Sequence, residues 1–244
     1  MVNLTIVIPI YNGFHNLPPL LKKLIPELEN LNKKWEIIFV DDHSNDNSFN
    51  YLKERNKIDS RIKCIRLKNN SGQQNAVFCG LVHSLGEMII TMDDDLQHPI
   101  HIIRDLINKL NEGYDIVYAV NRSSDRPKSL SIGTWLNSLF FTLFLKKPQN
   151  VEIGSYRIMT RELVNNIKNI KNGFIYISAQ IFNIVPRPKA LSIFYIPDNE
   201  RKKQQSRINL KSRFKLFKRL FLNYGPTKKI TKEKGEPFLI ERRL

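Results

Sequence analysis

Cysteine is scarce in this 244-residue chain: only Cys64 and Cys79 occur. Two residues cannot build a disulfide framework, and their spacing matches no metal-ligand pattern, so both read as reduced thiols of a cytosolic protein. Long apolar runs are missing too. A bilayer-spanning helix needs roughly 18–20 apolar residues, and the longest candidate, residues 136–145, is broken by Asn137, Ser138 and Thr142. Residues 3–9 open directly on a strand pattern, without the charged and apolar regions of a signal peptide. Neither a G-x-G-x-x-G turn after the first strand nor a G-x-x-x-x-G-K-[ST] loop is present. That argues against a dinucleotide oxidoreductase and against a P-loop NTPase. The five histidines are scattered. His43, His83 and His98 read as surface or helix-end residues rather than metal ligands, and no Ser-His-Asp arrangement can be inferred.

What is present in excess is positive charge. The formal net charge is +16, and residues 196–244 alone hold 15 Lys and Arg against 5 Asp and Glu. A charge concentrated in one segment favours a local anionic partner over a uniformly basic fold. Residues 1–200 read as one catalytic-size domain, 201–225 as a basic amphipathic helix and 226–244 as a polar, mobile tail.

Through the first half, strand-like runs (residues 4–8, 36–40, 62–67, 88–92 and 115–120) alternate with helical spacing of apolar residues (17–31, 48–57, 73–85 and 99–110). Repeated βα units predict an α/β fold with a mostly parallel central sheet and helices on both faces. In such sheets ligands bind beyond the carboxyl ends of the strands, and here those ends are polar. The first leads into Pro9, Tyr11 and Asn12. The second leads into Asp41, Asp42, His43, Ser44 and Asp46, acceptors that could hold a ribose or a base edge, although Ser44 or Asp46 could equally cap the next helix. The third leads into Asn70, Gly72 and Gln73. The fourth ends in Asp93, Asp94 and Asp95, followed by Gln97, His98 and Pro99. Strand alternation would turn Asp93 and Asp95 to one side and Asp94 to the other. Two carboxylates so placed suit a hard divalent cation, and an acidic helix cap is the bland alternative.

These blocks, in order, resemble the inverting nucleotide-sugar glycosyltransferases of family 2, and within them the polyprenyl-phosphate, dolichol-phosphate mannose synthase-like branch. The resemblance covers most of the first 160 residues and includes Gly154-Ser155-Tyr156-Arg157. It implies a GT-A fold in which Pro9, Tyr11, Asp42 and Gln73 line the nucleotide pocket, with Asn12, Asp41, Ser44 and Asp94 beside them. It also implies that Asp93 and Asp95 form a D-x-D pair that, with Gln97, holds Mg²⁺ or Mn²⁺ on the donor diphosphate. Arg122 and Arg157, with Arg126 and Lys128 near the former, become candidates for gripping an acceptor phosphate. A hydroxyl acceptor would instead need a base, for which Glu152 and Asp94 are the candidates. The expected partners are a nucleoside-diphosphate sugar donor and a lipid-phosphate or lipid-linked acceptor, and no nucleic acid.

The basic segment, residues 207–224, opens on Arg207 and closes on Tyr224. Leu210, Phe214, Phe217, Phe221 and Tyr224 recur at steps of four and three, with Lys211, Arg213, Lys215, Lys218 and Arg219 around them. That pattern fits a helix lying in an anionic membrane surface, which would attach the protein peripherally to the inner face of the membrane. The same pattern also fits a helix docked on the catalytic domain with its basic face in solvent.

Overall fold

The computed structural model describes residues 1–122, 141–170, 173–196, 210–225 and 235–244. One eight-stranded sheet organises them. Its strands are β1 (Leu4–Ile10), β2 (Trp35–Asp41), β3 (Ile62–Leu67), β4 (Met88–Thr91), β5 (Ile116–Asn121), β6 (Arg157–Thr160), β7 (Ala190–Tyr195) and β8 (Ile240–Arg243), in the spatial order β7-β5-β6-β4-β1-β2-β3-β8. The helices are α1 (Leu17–Glu29), α2 (Ser48–Ile58), α3 (Gln73–His83), α4 (Ile102–Asn111), α5 (Arg161–Ile167), α6 (Ile177–Ile184) and α7 (Leu210–Tyr224).

β1 and β2 are buried along their full length, as strands covered on both faces must be, and this explains their continuous apolar sequence. Alternation then divides the core. Leu4, Ile6, Ile8 and Ile10 of β1 face one cluster with the buried residues of α1, α2 and α4, whereas Val7 joins Val77 and Phe78 of α3 on the other side. In α4 the residues Ile102, Ile103, Leu106, Ile107 and Leu110 are buried, the one-sided stripe that a sheet-covering helix presents.

β6 is the exception in the centre. It pairs antiparallel with both β4 and β5, while β1 pairs parallel with β2 and β4, β2 with β3, and β5 with β7. The carboxyl ends of β1 to β5 therefore share one rim with the amino end of β6.

Three boundaries differ from the sequence reading. β4 stops at Thr91, which puts Asp93, Asp94 and Asp95 in the turn beyond the strand rather than on it. α4 starts at Ile102, three residues after Pro99. The end of the segment expected to be mobile instead forms β8, antiparallel to β3, with the Leu244 N–H donated to the Cys64 carbonyl at 2.8 Å. An edge strand is held by backbone hydrogen bonds, and a Glu-Arg-Arg stretch carries no apolar alternation to announce it.

The C-terminal half of α7 takes the docked alternative. Leu220 and Tyr224 are buried, and Leu216, Phe217 and Phe221 pack partly against the core around α5 and α6. The Tyr224 hydroxyl accepts the Tyr176 N–H and donates to the Phe174 carbonyl, each at 3.2 Å. Leu220, outside the stripe read from sequence, is the residue buried most completely. No helix among the described residues is long and apolar enough to cross a membrane.

Candidate active site

A cleft of about 470 Å³ opens on the rim where β1 to β4 end. Pro9, Ile10 and Tyr11 after β1, Asp42 after β2, Asn70, Gly72 and Gln73 before α3, and the three aspartates after β4 line it. Four sequence-distant strand ends thus converge because parallel strands carry their exits to one side.

On the nucleotide side, Tyr11 stands half exposed at the wall. Asp42 is nearly buried and accepts the Ser71 N–H at 2.6 Å and the Gly72 N–H at 2.8 Å. Burial raises its carboxyl above the ordinary range, against the pull of those two N–H groups. Gly72 sits at φ +87, a conformation that L side chains avoid, so the turn can present both N–H groups to one carboxylate.

Three residues expected at the nucleotide have other work. Asp41 is fully buried, accepts the Ser44 N–H at 3.0 Å and lies 3.7 Å from Arg66. The Ser44 hydroxyl accepts the Asn12 N–H, and Asn12 in turn accepts the Asn45 N–H. Asp46 accepts from the backbones of Phe14 and Ser48. Asp41, Ser44 and Asn12 are absent from the cleft lining; they tie the β1 and β2 exits together, because tight turns leave backbone donors that need acceptors. Asp46 precedes the N-cap of α2, which is Asn47, and its bond to the Ser48 N–H supports the first turn of that helix without capping it.

The acidic turn is gripped unevenly. Asp93 accepts Gln73 Nε2 at 2.6 Å on Oδ1 and the Ser155 hydroxyl at 2.8 Å on Oδ2, while its N–H donates to His98 Nδ1 at 3.1 Å. Asp95 accepts the Gln97 N–H at 3.0 Å. Asp94 turns away toward the β1 exit: a Cβ on Gly13 would lie 2.0 Å from its Oδ2, so its carboxylate fills the space that glycine leaves. Burial lifts Asp94 to about 6, opposed by a hydrogen bond from Asn16. Any side chain larger than glycine at position 13 would compete with the Asp94 carboxylate for that space.

His98 was read as a surface or helix-end residue, and the structure corrects this. Its side chain is 10% exposed and its ring stacks on Tyr156 at 4.7 Å between centroids. With Nδ1 accepting, the imidazole is neutral with its proton on Nε2, 3.8 Å from Asp93 Oδ2. Its signal in the sequence was Pro99, which, with Leu96 at φ +62, bends the chain back on itself.

Other expected residues lie apart from the cleft. Gln97 is exposed and outside its lining. Arg122 is exposed at the end of β5, its guanidinium 3.6 Å above the Phe194 ring. Glu152 is exposed and tied through its backbone to the Ser192 hydroxyl. Arg157, expected at the acceptor, is buried instead: Nε donates to Thr91 Oγ1 at 3.2 Å and Nη1 to Ser178 Oγ at 2.9 Å. Its side chain is covered from above the sheet, where Ser178 at the start of α6 meets its guanidinium, and it is not among the residues that line the cleft. Arg126 and Lys128 lie outside the described residues.

Among the described residues no group of three or more His, Cys, Asp or Glu side chains could enclose a metal by itself. Asp93 and Asp95 still fit a divalent cation. A carboxylate oxygen has two acceptor sites, so oxygens that already accept one hydrogen bond keep capacity for a hard cation, and a nucleotide diphosphate could supply the oxygens they lack. Gln73 and Ser155 would then hold Asp93 by its outer positions, as partners of metal ligands commonly do.

Comparison with known proteins agrees with this geometry. The model of glycosyl transferase family 2 matches residues 5–168. Two relatives that bear the name glycosyltransferase are CsbB of Bacillus subtilis (strain 168), 32% identical over 70% of this chain and 52% of its own length, and sll0501 of Synechocystis sp., 35% identical over 69% and 54%. The chain thus spans about half the length of the curated relatives it matches. Solved structures share the fold. Glucosyl-3-phosphoglycerate synthase of Mycobacterium tuberculosis, crystallised with Mn²⁺, UDP and phosphoglyceric acid, has a TM-score of 0.64 at 14% identity, covering 92% of this chain and 79% of that one. Mannosyl-3-phosphoglycerate synthase of Rubrobacter xylanophilus has a TM-score of 0.63 at 15% identity, covering 89% and 72%. The α/β architecture is GT-A-like, and the chain belongs to glycosyl transferase family 2.

Proposed function

We propose that the protein is an inverting glycosyltransferase that moves a sugar from a nucleoside diphosphate to a polyprenyl-phosphate or other lipid-linked acceptor, at the inner face of a membrane, in envelope polysaccharide or glycolipid synthesis. The observation that carries the transferase reading is the convergence of Tyr11, Asp42, Gln73, Asp93 and Asp95 on one cleft. Tyr11 offers a ring for stacking on a base, and Asp42 a carboxylate already oriented by the β3–α3 turn. Asp93 and Asp95 would hold Mg²⁺ or Mn²⁺, which when bound neutralises charge developing on the leaving diphosphate. An acceptor oxygen then attacks the anomeric carbon from the face opposite the diphosphate. The carbon–oxygen bond to the β-phosphate breaks with its electron pair on the departing phosphate, which inverts the configuration.

A phosphate acceptor arrives ionised and requires no base. Arg122, exposed at the β5 exit on the rim that carries the cleft, is a cation that could meet it. The lipid-linked acceptor and the membrane location rest on the branch resemblance and on the basic C-terminal region. A second reading, transfer to a sugar hydroxyl, requires a base, and Asp94, whose carboxylate lines the cleft beside Asp93 and Asp95, is the residue placed for it.

A thermal-shift panel of UDP-, GDP- and dTDP-sugars with and without Mn²⁺ tests the donor side. Metal-dependent stabilisation by one nucleotide class is expected, and its absence from every pair would sink the proposal.

A further inference from the structure

The two oxygens of Asp93 are joined by a circuit of hydrogen bonds linked through short stretches of backbone and side chain. From Oδ2 it passes to the Ser155 hydroxyl at 2.8 Å. The Ser155 carbonyl accepts the Thr91 hydroxyl at 2.6 Å, and Thr91 Oγ1 accepts Arg157 Nε at 3.2 Å. Arg157 Nη1 donates to Ser178 Oγ, at the start of α6, at 2.9 Å. The neighbouring Ile177 N–H donates to Gln74 Oε1 at 3.1 Å. Gln74 adjoins Gln73, whose amide returns to Asp93 Oδ1 at 2.6 Å. The loop crosses β4, β6, α6 and α3. Thr91 is its narrowest link, since one buried hydroxyl both donates to Ser155 and accepts from Arg157.

Strand geometry explains why a single hydroxyl can do this. Thr91 and Arg157 are register partners on antiparallel strands, so their side chains share a face and lie within reach of each other. The register also brings the Ser155 carbonyl, two residues before Arg157, over the last residue of β4. Ser155 is thereby set by its backbone, and its hydroxyl is aimed at Asp93 before any ligand arrives. Arg157 could not do this alone, because its guanidinium meets Thr91 and Ser178 rather than the carboxylate.

We propose that Thr91 is a positioning residue for the donor-metal site, its hydroxyl setting Ser155 and hence the orientation in which Asp93 meets the cation. The proposal rests on the donor-metal reading above and deepens it. A methyl group in place of the hydroxyl keeps the volume of Thr91 but leaves the Ser155 carbonyl and Arg157 Nε without their common partner, so Ser155 loses its aim and the Asp93 side chain is held by Gln73 on one oxygen only.

The test is Mn²⁺ uptake in the presence of UDP, followed by loss of the free-Mn²⁺ electron paramagnetic resonance signal, with thermal unfolding as the fold control. Thr91→Val is expected to weaken uptake about tenfold, the lower end of the range for partners of metal ligands, and Thr91→Ser to restore it to within about twofold. Should Thr91→Val not fold, Thr91→Ala removes the hydroxyl without pressing a methyl on the guanidinium, and Ser155→Ala, at a partly buried position, cuts the last link; both are expected to weaken uptake. Wild-type uptake with unchanged uptake in the folded hydroxyl-less variants overturns the role of Thr91 alone. Absence of Mn²⁺ uptake by the wild type, with UDP present, overturns the donor-metal reading and this proposal with it.

Discussion

Three adjacent aspartates line one cleft with different partners. Asp93 and Asp95 face the cleft, and replacing either with Ala is expected to abolish transfer in a radiolabelled-sugar assay, whereas Asp94→Ala leaves substantial activity if the acceptor is a phosphate. Asp94 and Gly13 occupy one space, which the sequence could not disclose because they are 81 positions apart. Gly13→Ala, with its Cβ at 2.0 Å from Asp94 Oδ2, is expected to cost about 1–3 kcal/mol of stability by overpacking, measured by urea unfolding, and to loosen donor binding by displacing the acidic turn. Asp46 carries a pH signature. Desolvation raises its carboxyl, but hydrogen bonds from Ser48 and from the Phe14 backbone prevail and hold it below its ordinary value of 3.8. Its contribution is therefore fully present above pH 3.8 and is lost as pH falls through the lower native value. Stability measured from pH 5 down to pH 2 should fall less steeply in Asp46→Asn than in the wild type. At this scale the cleft-lining residues were legible as residue types at strand ends. The division between those that bind and those that lace loops together, as Ser44 and Asn12 do, depends on which backbone donors a turn leaves over, and that is a property of three-dimensional proximity.

Elements with strong apolar periodicity were readable. β1 to β5 and α1 to α4 lie where alternation and helical spacing put them, with ends displaced by a few residues. β6, β7 and β8 were not readable, since their pairing is supplied by neighbours far along the chain. β6 reads Arg-Ile-Met-Thr, and its Arg157 would ordinarily mark an exposed segment; here hydroxyls of Thr91 and Ser178 compensate its burial. In α7 the aromatic stripe was visible, but its partner was not. The helix buries Leu220 completely beside Tyr224. Leu220→Ala should therefore lower stability by about 2–5 kcal/mol in chemical unfolding. Tyr224→Phe, which removes the hydroxyl shared by Tyr176 and Phe174, should cost roughly 1 kcal/mol. If α7 served only lipid, neither change would alter the unfolding midpoint of the protein in detergent-free buffer.

For the molecule as a whole, acidic and basic groups are segregated along the sequence. The cleft ends in three carboxylates, while the excess of positive charge lies in residues 196–244. Docking of α7 through Leu220 and Tyr224 leaves Lys218 exposed, so the helix can serve the fold and an anionic surface at once. Replacing Lys211, Lys215 and Lys218 with Gln is expected to reduce flotation with anionic vesicles, and raising the salt concentration should reproduce that loss in the wild type. Undiminished flotation in both cases would remove electrostatic membrane attachment. The antiparallel run of β6 gives the architecture a further property. The chain leaves the sheet at Asn121 and re-enters it at Arg157 on the neighbouring antiparallel strand, so the two ends of this connection lie on the rim that carries the cleft. Phe141, Leu145 and Val151 anchor the described part of that connection in the core, so a graft of residues 122–154 from a relative is expected to keep the unfolding midpoint only where it preserves apolar side chains at those three positions.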